Sequence, residues 1–284
     1  MDAASIIKLM LIGGIMLNVI SIGVRARPQD ALALVREPML GARAMLAMFV
    51  AVPAFVLLLT SWFDLPRPVV AVLLTLSVAP MPPLISNKEI KAGGDADYAI
   101  GLQVLATAFS LIAMPVMLTV AGRIFGKQLP FEPTAMVTVL ALTVAVPMAF
   151  GMAIGHFLPR LIPLVAKWAS RIGWISLGLA AAVLVAARWG DITARLGGGT
   201  LLVTIVIVAF ALLIGQWLGG PNEGNRSALA ITCAARHPGV AISVASGLFP
   251  ADSAAIFGMA GLFLITSALM SIPYLKWRQH RVGF

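Results

Sequence analysis

The sequence predicts an all-α integral membrane protein, and three observations lead to this fold class. Hydrophobic residues make up 60% of the 284-residue chain and charged residues 11%, whereas a soluble domain carries about 25% charged residues. The mean hydropathy is +1.00. Long apolar runs recur along the chain, and a helix of about 20 such residues crosses a bilayer. Most of the surface is therefore expected to face lipid.

Nine apolar runs, separated by short charged or Pro/Gly-containing joints, define nine candidate transmembrane spans. They lie at about 4–24, 39–62, 67–92, 95–122, 132–157, 166–187, 199–218, 225–249 and 253–276. The first run is interpreted as a span because its arginines follow it, the reverse of the charge order in a signal peptide. Residues 1–284 are therefore expected to form one membrane domain.

The distribution of positive charge predicts the orientation of the chain. Nine spans place thirteen of the twenty Lys and Arg residues on the side of the C-terminus and six on the other. Cytoplasmic loops are enriched in these residues. The C-terminus is thus expected in the cytoplasm and the N-terminus outside, in the cell (inner) membrane. The net charge of +9 then needs no nucleic-acid partner.

The glycines predict close contacts between helices, and the single cysteine limits the disulfide and metal chemistry of the chain. Gly151 and Gly155, and likewise Gly215 and Gly219, are four residues apart, a spacing suited to closely packed membrane helices. The single cysteine, Cys233, excludes an intramolecular disulfide and a cysteine metal site, and is expected to be a small buried side chain.

Two runs contain prolines where a continuous helix should pass. Pro80, Pro82 and Pro83 lie near the centre of the third run, and Pro238 lies near the middle of the eighth. Proline removes a backbone donor and disfavours helix in the residue before it. Broken backbone at membrane depth is tolerated where it is buried in protein or lines a wet cavity. We therefore expect two discontinuous helices.

The two breaks occupy matching places in two halves of the chain. This pattern indicates an inverted repeat with two crossed discontinuous helices, whose halves are about 4–122 and 166–276, linked by 132–157. Each break starts a half-helix whose free amides favour an anionic ligand. The alternative is that the prolines only kink their helices. Polar residues at both breaks argue against it, namely Ser86, Asn87 and Lys88 at the first and Arg236 and His237 at the second.

Three segments resemble the bile acid/sodium symporter family. The first is GVRARPQDALALVREP, with basic residues, a Pro-x-Asp turn and a proline entering the next span. The second, SNKEIKAGGDADYAI, is similar to the Ser-Asn and Gly-Asp of the first crossing, and the third, NRSALAITCAARHPGVAISVASGLFP, to the second crossing. The resemblance covers nearly the whole chain and implies nine or ten spans, two crossed broken helices and organic-anion transport.

The chain departs from this family at positions that the resemblance assigns to sodium. Sodium-coupled members carry an acidic residue in the second crossing, followed four positions later by Gln and then Asn. Those places are held here by Thr232, Arg236 and His237, and a Gln expected before the proline of the second span is replaced by Met48. A sodium site needs several oxygen ligands, usually with a carboxylate, and a guanidinium group among them repels the ion.

The first crossing keeps part of the family pattern. Ser86 and Asn87 match the Ser-Asn pair, but Ala99 and Gln103 stand where hydroxyl residues are expected. A weakened sodium site at Ser86, Asn87 and Thr232 is the most that these residues allow. We therefore expect no resident metal and no cofactor, with sodium coupling implied by the resemblance and opposed by the residues present.

Arg236 has two interpretations. A charge near the bilayer centre costs roughly 2.5–3.5 kcal/mol on insertion scales, so it needs a partner or a role. It either binds a carboxylate or sulfonate, or supplies permanently the charge that sodium supplies in relatives. The alternative is a structural ion pair, with Glu89 as the candidate partner.

The other candidate substrate-binding residues also have two interpretations. His237 either shuttles protons or is a hydrogen-bonded core residue. Ser86 and Asn87 either contact ligand or cap a half-helix. Gln103 and Thr232 either line a cavity or hydrogen-bond between helices. Near the first break, the charged residues expected to reach the cytoplasmic interface are Lys88, Glu89 and Lys91.

These observations predict a secondary transporter of a small or amphipathic organic anion, working by alternating access. The coupling alternatives are sodium symport, proton coupling, and an uncoupled uniporter or exchanger. A membrane-embedded enzyme would need a nucleophile or metal constellation, and the sequence shows no paired acids, no HExxH and no Gly-x-Ser-x-Gly. A receptor would need a soluble extension or long loops. The expected partners are the anion and the lipid bilayer.

Overall fold

The computed structural model describes residues 3–26, 34, 36–79, 96–124, 138, 141–187, 189–194 and 197–282. All regular secondary structure within these residues is helical, which confirms the all-α prediction. The principal helices, in chain order, are α1 (Ala3–Arg25), α2 (Pro38–Trp62), α3 (Arg67–Val78), α4 (Ala96–Ile124), α5 (Ala141–Phe157), α6 (Ile162–Ala187), α7 (Trp189–Thr193), α8 (Thr200–Leu218), α9 (Glu223–Ala234), α10 (Pro238–Leu248) and α11 (Ser253–Val282).

Three of the described helices are long and apolar enough to cross a membrane by themselves: Pro38–Trp62, Thr200–Leu218 and Pro250–His280. A fourth crossing results if Ala141–Phe157 and Pro159–Ala180, which meet at 111°, are counted as one bent span. The chain is therefore a multi-pass membrane protein by helix length and composition. The count of nine spans and the inverted repeat stay predictions.

The helices form two groups. Helices α1, α5 and α6, here called the α1 group, pack along one another, with α1 lying against both of its partners. The remaining helices share one continuous apolar core and are called the large group. The two groups meet where α4 approaches the start of α5, and where α6 approaches α7 and α11.

Glycines bring main chains together inside both groups, as their spacing predicts. A Cβ atom on Gly151 would lie 2.5 Å from the carbonyl oxygen of Ile20, so α5 and α1 touch through backbone atoms. In the large group, a Cβ atom on Gly215 of α8 would overlap the Cα atom of Ala230 on α9. A side chain at either glycine would have to push a whole helix aside, because the neighbour is backbone.

A buried arginine ties the start of α9 to the end of α11. The Arg278 side chain forms an ion pair with Glu223, and its Nε donates a hydrogen bond of 2.6 Å to the Ser227 hydroxyl. Arg226 pairs with the same carboxylate at 3.0 Å. The acidic Glu223 stands in the first turn of α9, where negative charge is favoured by the helix dipole. This cluster fixes one end of the helix that leads to the second break.

We expect Gly215→Ala to lower the stability of the protein and Gly178→Ala to leave it unchanged or slightly raised. The Cβ atom at position 215 meets the main chain of α9, and such overpacking costs about 1–3 kcal/mol. Nothing lies within 4 Å of a Cβ atom at Gly178, and alanine favours helix over glycine. Thermal unfolding of both purified variants in one detergent gives the comparison. Equal melting temperatures would contradict the close α8–α9 contact.

Candidate functional site

The candidate site is the interruption between α9 and α10. Helix α9 ends at Ala234 and α10 begins at Pro238. Ala235 and His237 have extended backbone, with φ/ψ of −108°/119° and −78°/102°. The extended conformation of His237 is expected because this residue directly precedes Pro238. The backbone therefore leaves the helix at the position where the sequence places the second break, and Arg236 lies within the interruption.

The Arg236 guanidinium group joins three helices by donating to backbone carbonyl oxygens. Its Nε donates to Cys233 at 3.3 Å, one terminal nitrogen to Ala79 at 3.2 Å and the other to Met48 at 2.9 Å. The ring centroid of Phe49 lies 5.9 Å from the guanidinium carbon. The side chain is 2% exposed. The charge is therefore enclosed by oxygen atoms at its edge and by an aromatic ring near its face.

Two of these carbonyls are available because a helix ends beside them. Ala79 is the extended residue that follows α3, and Cys233 belongs to the last turn of α9. The last four carbonyl groups of a helix have no partner within it. The C-terminal ends of two helices, α3 and α9, therefore meet at one side chain, although the two helices are far apart in sequence.

The third carbonyl is free because of a proline in α2. Residues Ala47–Ala51 form a π turn, in which the Val52 amide bonds to the Ala47 carbonyl five residues back. By the same spacing the Met48 carbonyl would pair with position 53, which is proline and has no N–H. The Met48 oxygen is thus open to Arg236. The Met48 side chain, which replaces the glutamine of sodium-coupled relatives, takes no part in this bond.

The electrostatics of this arrangement are balanced. A helix C-terminus is equivalent to roughly −0.5 of an elementary charge, so the ends of α3 and α9 together offset about one positive charge. A hydrogen bond to a charged group contributes about 1.5–3 kcal/mol. Three such bonds exceed the roughly 2.5–3.5 kcal/mol that an arginine costs at membrane depth. The site therefore stabilises the ion without needing a carboxylate.

His237 lies at the joint between the two groups. A Cβ atom on Gly239 would lie 3.1 Å from Cε1 of His237 and 3.4 Å from Cδ1 of Ile15 on α1. The ring therefore lies over the first turn of α10, next to the α1 group. The imidazole is buried, and within the described part of the chain its Nδ1 atom has no hydrogen-bond partner. This nitrogen is therefore a buried polar atom that retains its hydrogen-bonding capacity at the joint.

The remaining predicted site residues divide into two sets. Thr232 on α9 and Gln103 on α4 are buried, and their helices pack against each other. The others lie outside the described residues: Pro80, Pro82, Pro83, Ser86, Asn87, Lys88, Glu89 and Lys91. The structure places α3 up to Val78 and ends it before Pro80. A pairing of Arg236 with Glu89 therefore stays a prediction.

Sequence reasoning missed the acceptors of the guanidinium group. Met48, Ala79 and Cys233 act through their carbonyl oxygens, and a backbone carbonyl leaves no mark in residue type. One clue was available for Met48, because Pro53 stands five positions later inside an apolar run. It becomes informative only when the π turn is known.

The described residues define a helical multi-pass membrane protein with a buried charge at an interruption between two helices, and interrupted helices are typical of one class of membrane transporters. Within that class, the family model described as the sodium bile acid symporter family matches residues 12–195. The chain belongs to this family, which confirms the resemblance. No curated protein matches the chain. The matched range ends before α8, so the α9–α10 interruption is established by the structure independently of that match.

We expect Arg236→Lys to fold but to be less stable than the wild-type protein. An ammonium group is a compact donor and cannot repeat the planar fork that reaches three carbonyls in different directions. Loss of one charged hydrogen bond costs about 1.5–3 kcal/mol. The measurement is thermal unfolding, with Arg171→Lys as control, because Arg171 is exposed on α6. A melting temperature of Arg236→Lys equal to that of the control would refute the importance of the three-carbonyl geometry.

Proposed function

We propose that this protein is a secondary transporter of a small or amphipathic organic anion. Membership of a transporter family supports the class of function. The observation that carries the proposal is the interruption at 235–237, where Arg236 is buried among helices of the large group and His237 is buried next to α1. A helix interrupted inside the protein gives up backbone hydrogen bonds, and here a buried charge is needed to replace them, so the interruption favours a functional role over a packing role.

The substrate anion is held at the start of α10. Free amides at a helix N-terminus and the positive end of its dipole attract negative charge, and His237 adds an imidazole nitrogen beside them. Arg236 acts on the anion through its charge, since the side chain is buried and three of its five N–H groups hold carbonyls of the large group. Thr232, Gln103, Ser86 and Asn87 complete the proposed substrate-binding set.

Alternating access is the proposed mechanism, with the α1 group moving against the large group. Gly239 supports this role because it brings the first turn of α10 directly against Ile15 of α1. A ligand at that joint would touch both groups, so its binding would depend on their relative position. The nine-span inverted repeat, with the N-terminus outside and the C-terminus in the cytoplasm of the cell (inner) membrane, is part of the same proposal.

The proposed coupling is independent of sodium. Thr232 and Arg236 occupy the places where sodium-coupled relatives carry an acid and a glutamine, and the guanidinium group repels a second cation. Proton coupling through His237 and uncoupled uniport or exchange are the two alternatives. The protein is proposed to need no cofactor and to perform no catalysis.

Uptake into proteoliposomes tests the function. We expect vesicles preloaded with an unlabelled organic anion to accumulate the labelled anion by counterflow, equally with sodium and with choline outside. The anions to load are those that raise the melting temperature of the purified protein in a screen of bile acids, short carboxylates and sulfonates. A channel cannot give counterflow, so linear, unsaturable uptake would refute the proposal.

A His237→Gln variant separates the two coupling alternatives. If His237 carries the proton, an inward pH gradient drives uptake in the wild-type protein and not in the variant, while the variant still shows counterflow at a higher anion concentration because it has lost one contact to the anion. His156→Gln is the matched control, because His156 is an exposed histidine near the end of α5. Wild-type uptake that does not respond to the pH gradient would eliminate proton coupling and leave uniport or exchange.

A further inference from the structure

Three backbone carbonyl oxygens from three different helices surround one positively charged group, and this is the chemistry of a cation site. The oxygens of Met48, Ala79 and Cys233 lie 2.9 to 3.3 Å from guanidinium nitrogens. Monovalent cations in transporters with broken helices are coordinated by carbonyls of unwound backbone and by half-helix C-termini. The three oxygens at Arg236 come from those same kinds of position: two helix ends and a π turn.

We propose that this carbonyl cluster is a monovalent-cation site whose cation is a permanent part of the chain, the Arg236 guanidinium group. A neutral residue at position 236 should therefore reopen the site to a free monovalent cation. The inference deepens the proposed function and rests on it for the consequence that no ion is loaded or released at this point. Cation binding itself can be measured without transport, so that either proposal can fail while the other stands.

The geometry of Arg236 favours a fixed cation over a direct substrate ligand. All three guanidinium nitrogens donate to carbonyls, and the side chain is buried. An anion would have to reach the two remaining N–H groups past the helices that bury the side chain. The substrate would instead feel the charge from the neighbouring start of α10, two residues along the chain.

The arginine also explains how the interruption is held without an exchangeable ion. Two half-helix ends and the π turn of α2 all present oxygen atoms, and without a cation these partial negative charges would face one another unscreened. An ion that leaves during each cycle would free the three helices to separate. A side chain cannot leave, so α2, α3 and the α9–α10 interruption are expected to move as one piece.

The test is the response of the melting temperature to small cations. Wild-type protein, Arg236→Ala and Arg236→Gln are unfolded in choline, sodium, potassium or methylguanidinium chloride at equal ionic strength. We expect no difference between sodium and choline for the wild type. The neutral variants should melt several degrees lower in choline and regain at least half of that loss in sodium or methylguanidinium. The gain should grow with the logarithm of cation concentration once the site is occupied, as linkage requires.

Arg171→Ala is the matched control, since it removes an exposed arginine and leaves no buried carbonyl cluster. Its melting temperature should follow that of the wild type in every salt. A cation response equal to that of the neutral Arg236 variants would assign the effect to the salt and overturn the proposal. So would neutral Arg236 variants that fold and ignore all four cations.

The proposal stays testable if the neutral variants do not fold. Recovery of folded Arg236→Lys beside unfolded Arg236→Ala and Arg236→Gln supports it, because a positive charge of either shape is then required at this point. Stabilisation by sodium over choline that is present in the unaltered protein and in Arg171→Ala but absent in Arg236→Lys would show that the carbonyl cluster is open to a free ion and would overturn the proposal. An Arg236→Lys variant that fails to fold together with the neutral variants would overturn it as well, because a positive charge at this point would then not be enough to hold the cluster.

Discussion

A helix that stops in the interior of a protein must find donors for its last carbonyl groups, and the Arg236 guanidinium group meets that requirement here. In water the ends of α3 and α9 would be solvated at little cost, whereas a buried polar group without a partner costs several kcal/mol. One side chain with donors in three directions serves both ends and the Met48 carbonyl of α2. The interruption between α9 and α10 is thus compatible with burial because of this side chain.

The rest of the architecture keeps that interruption in place. The start of α9 is fixed to the end of α11 by Glu223 and Arg278, and its middle lies against α8 across Gly215. The start of α10 instead contacts the α1 group, where Gly239 faces Ile15. The α9 side of the break is thereby fixed within the large group, and the α10 side borders the α1 group. This asymmetry suits a site that must hold its own shape while a neighbouring group moves past it.

The sequence was sufficient for the helical class, the family and the position of the second break. Hydropathy identifies membrane helices because lipid is a uniform solvent, and proline has the same effect on a backbone in any fold. It was insufficient for the partners of Arg236. One of the two interpretations gave Arg236 an acidic partner, Glu89, which lies outside the described residues, whereas the acceptors within them are main-chain oxygens of Met48, Ala79 and Cys233. Main-chain acceptors depend on where helices end and on which ends meet, and residue types do not record that.

The glycine contacts of the α1 group have a consequence for how such a scaffold can change. Where α1 meets α5, the distance between the helices is set by main-chain atoms at Gly23 and Gly151. Ile15, farther from that crossing on α1, belongs to one buried apolar cluster with Val144 and Met148 of α5. The same side chain faces Gly239 at the break. A change of ligand preference made at Ile15 therefore also alters the packing of α1 on α5, so that adaptation at this position is limited by the volume the cluster can accept.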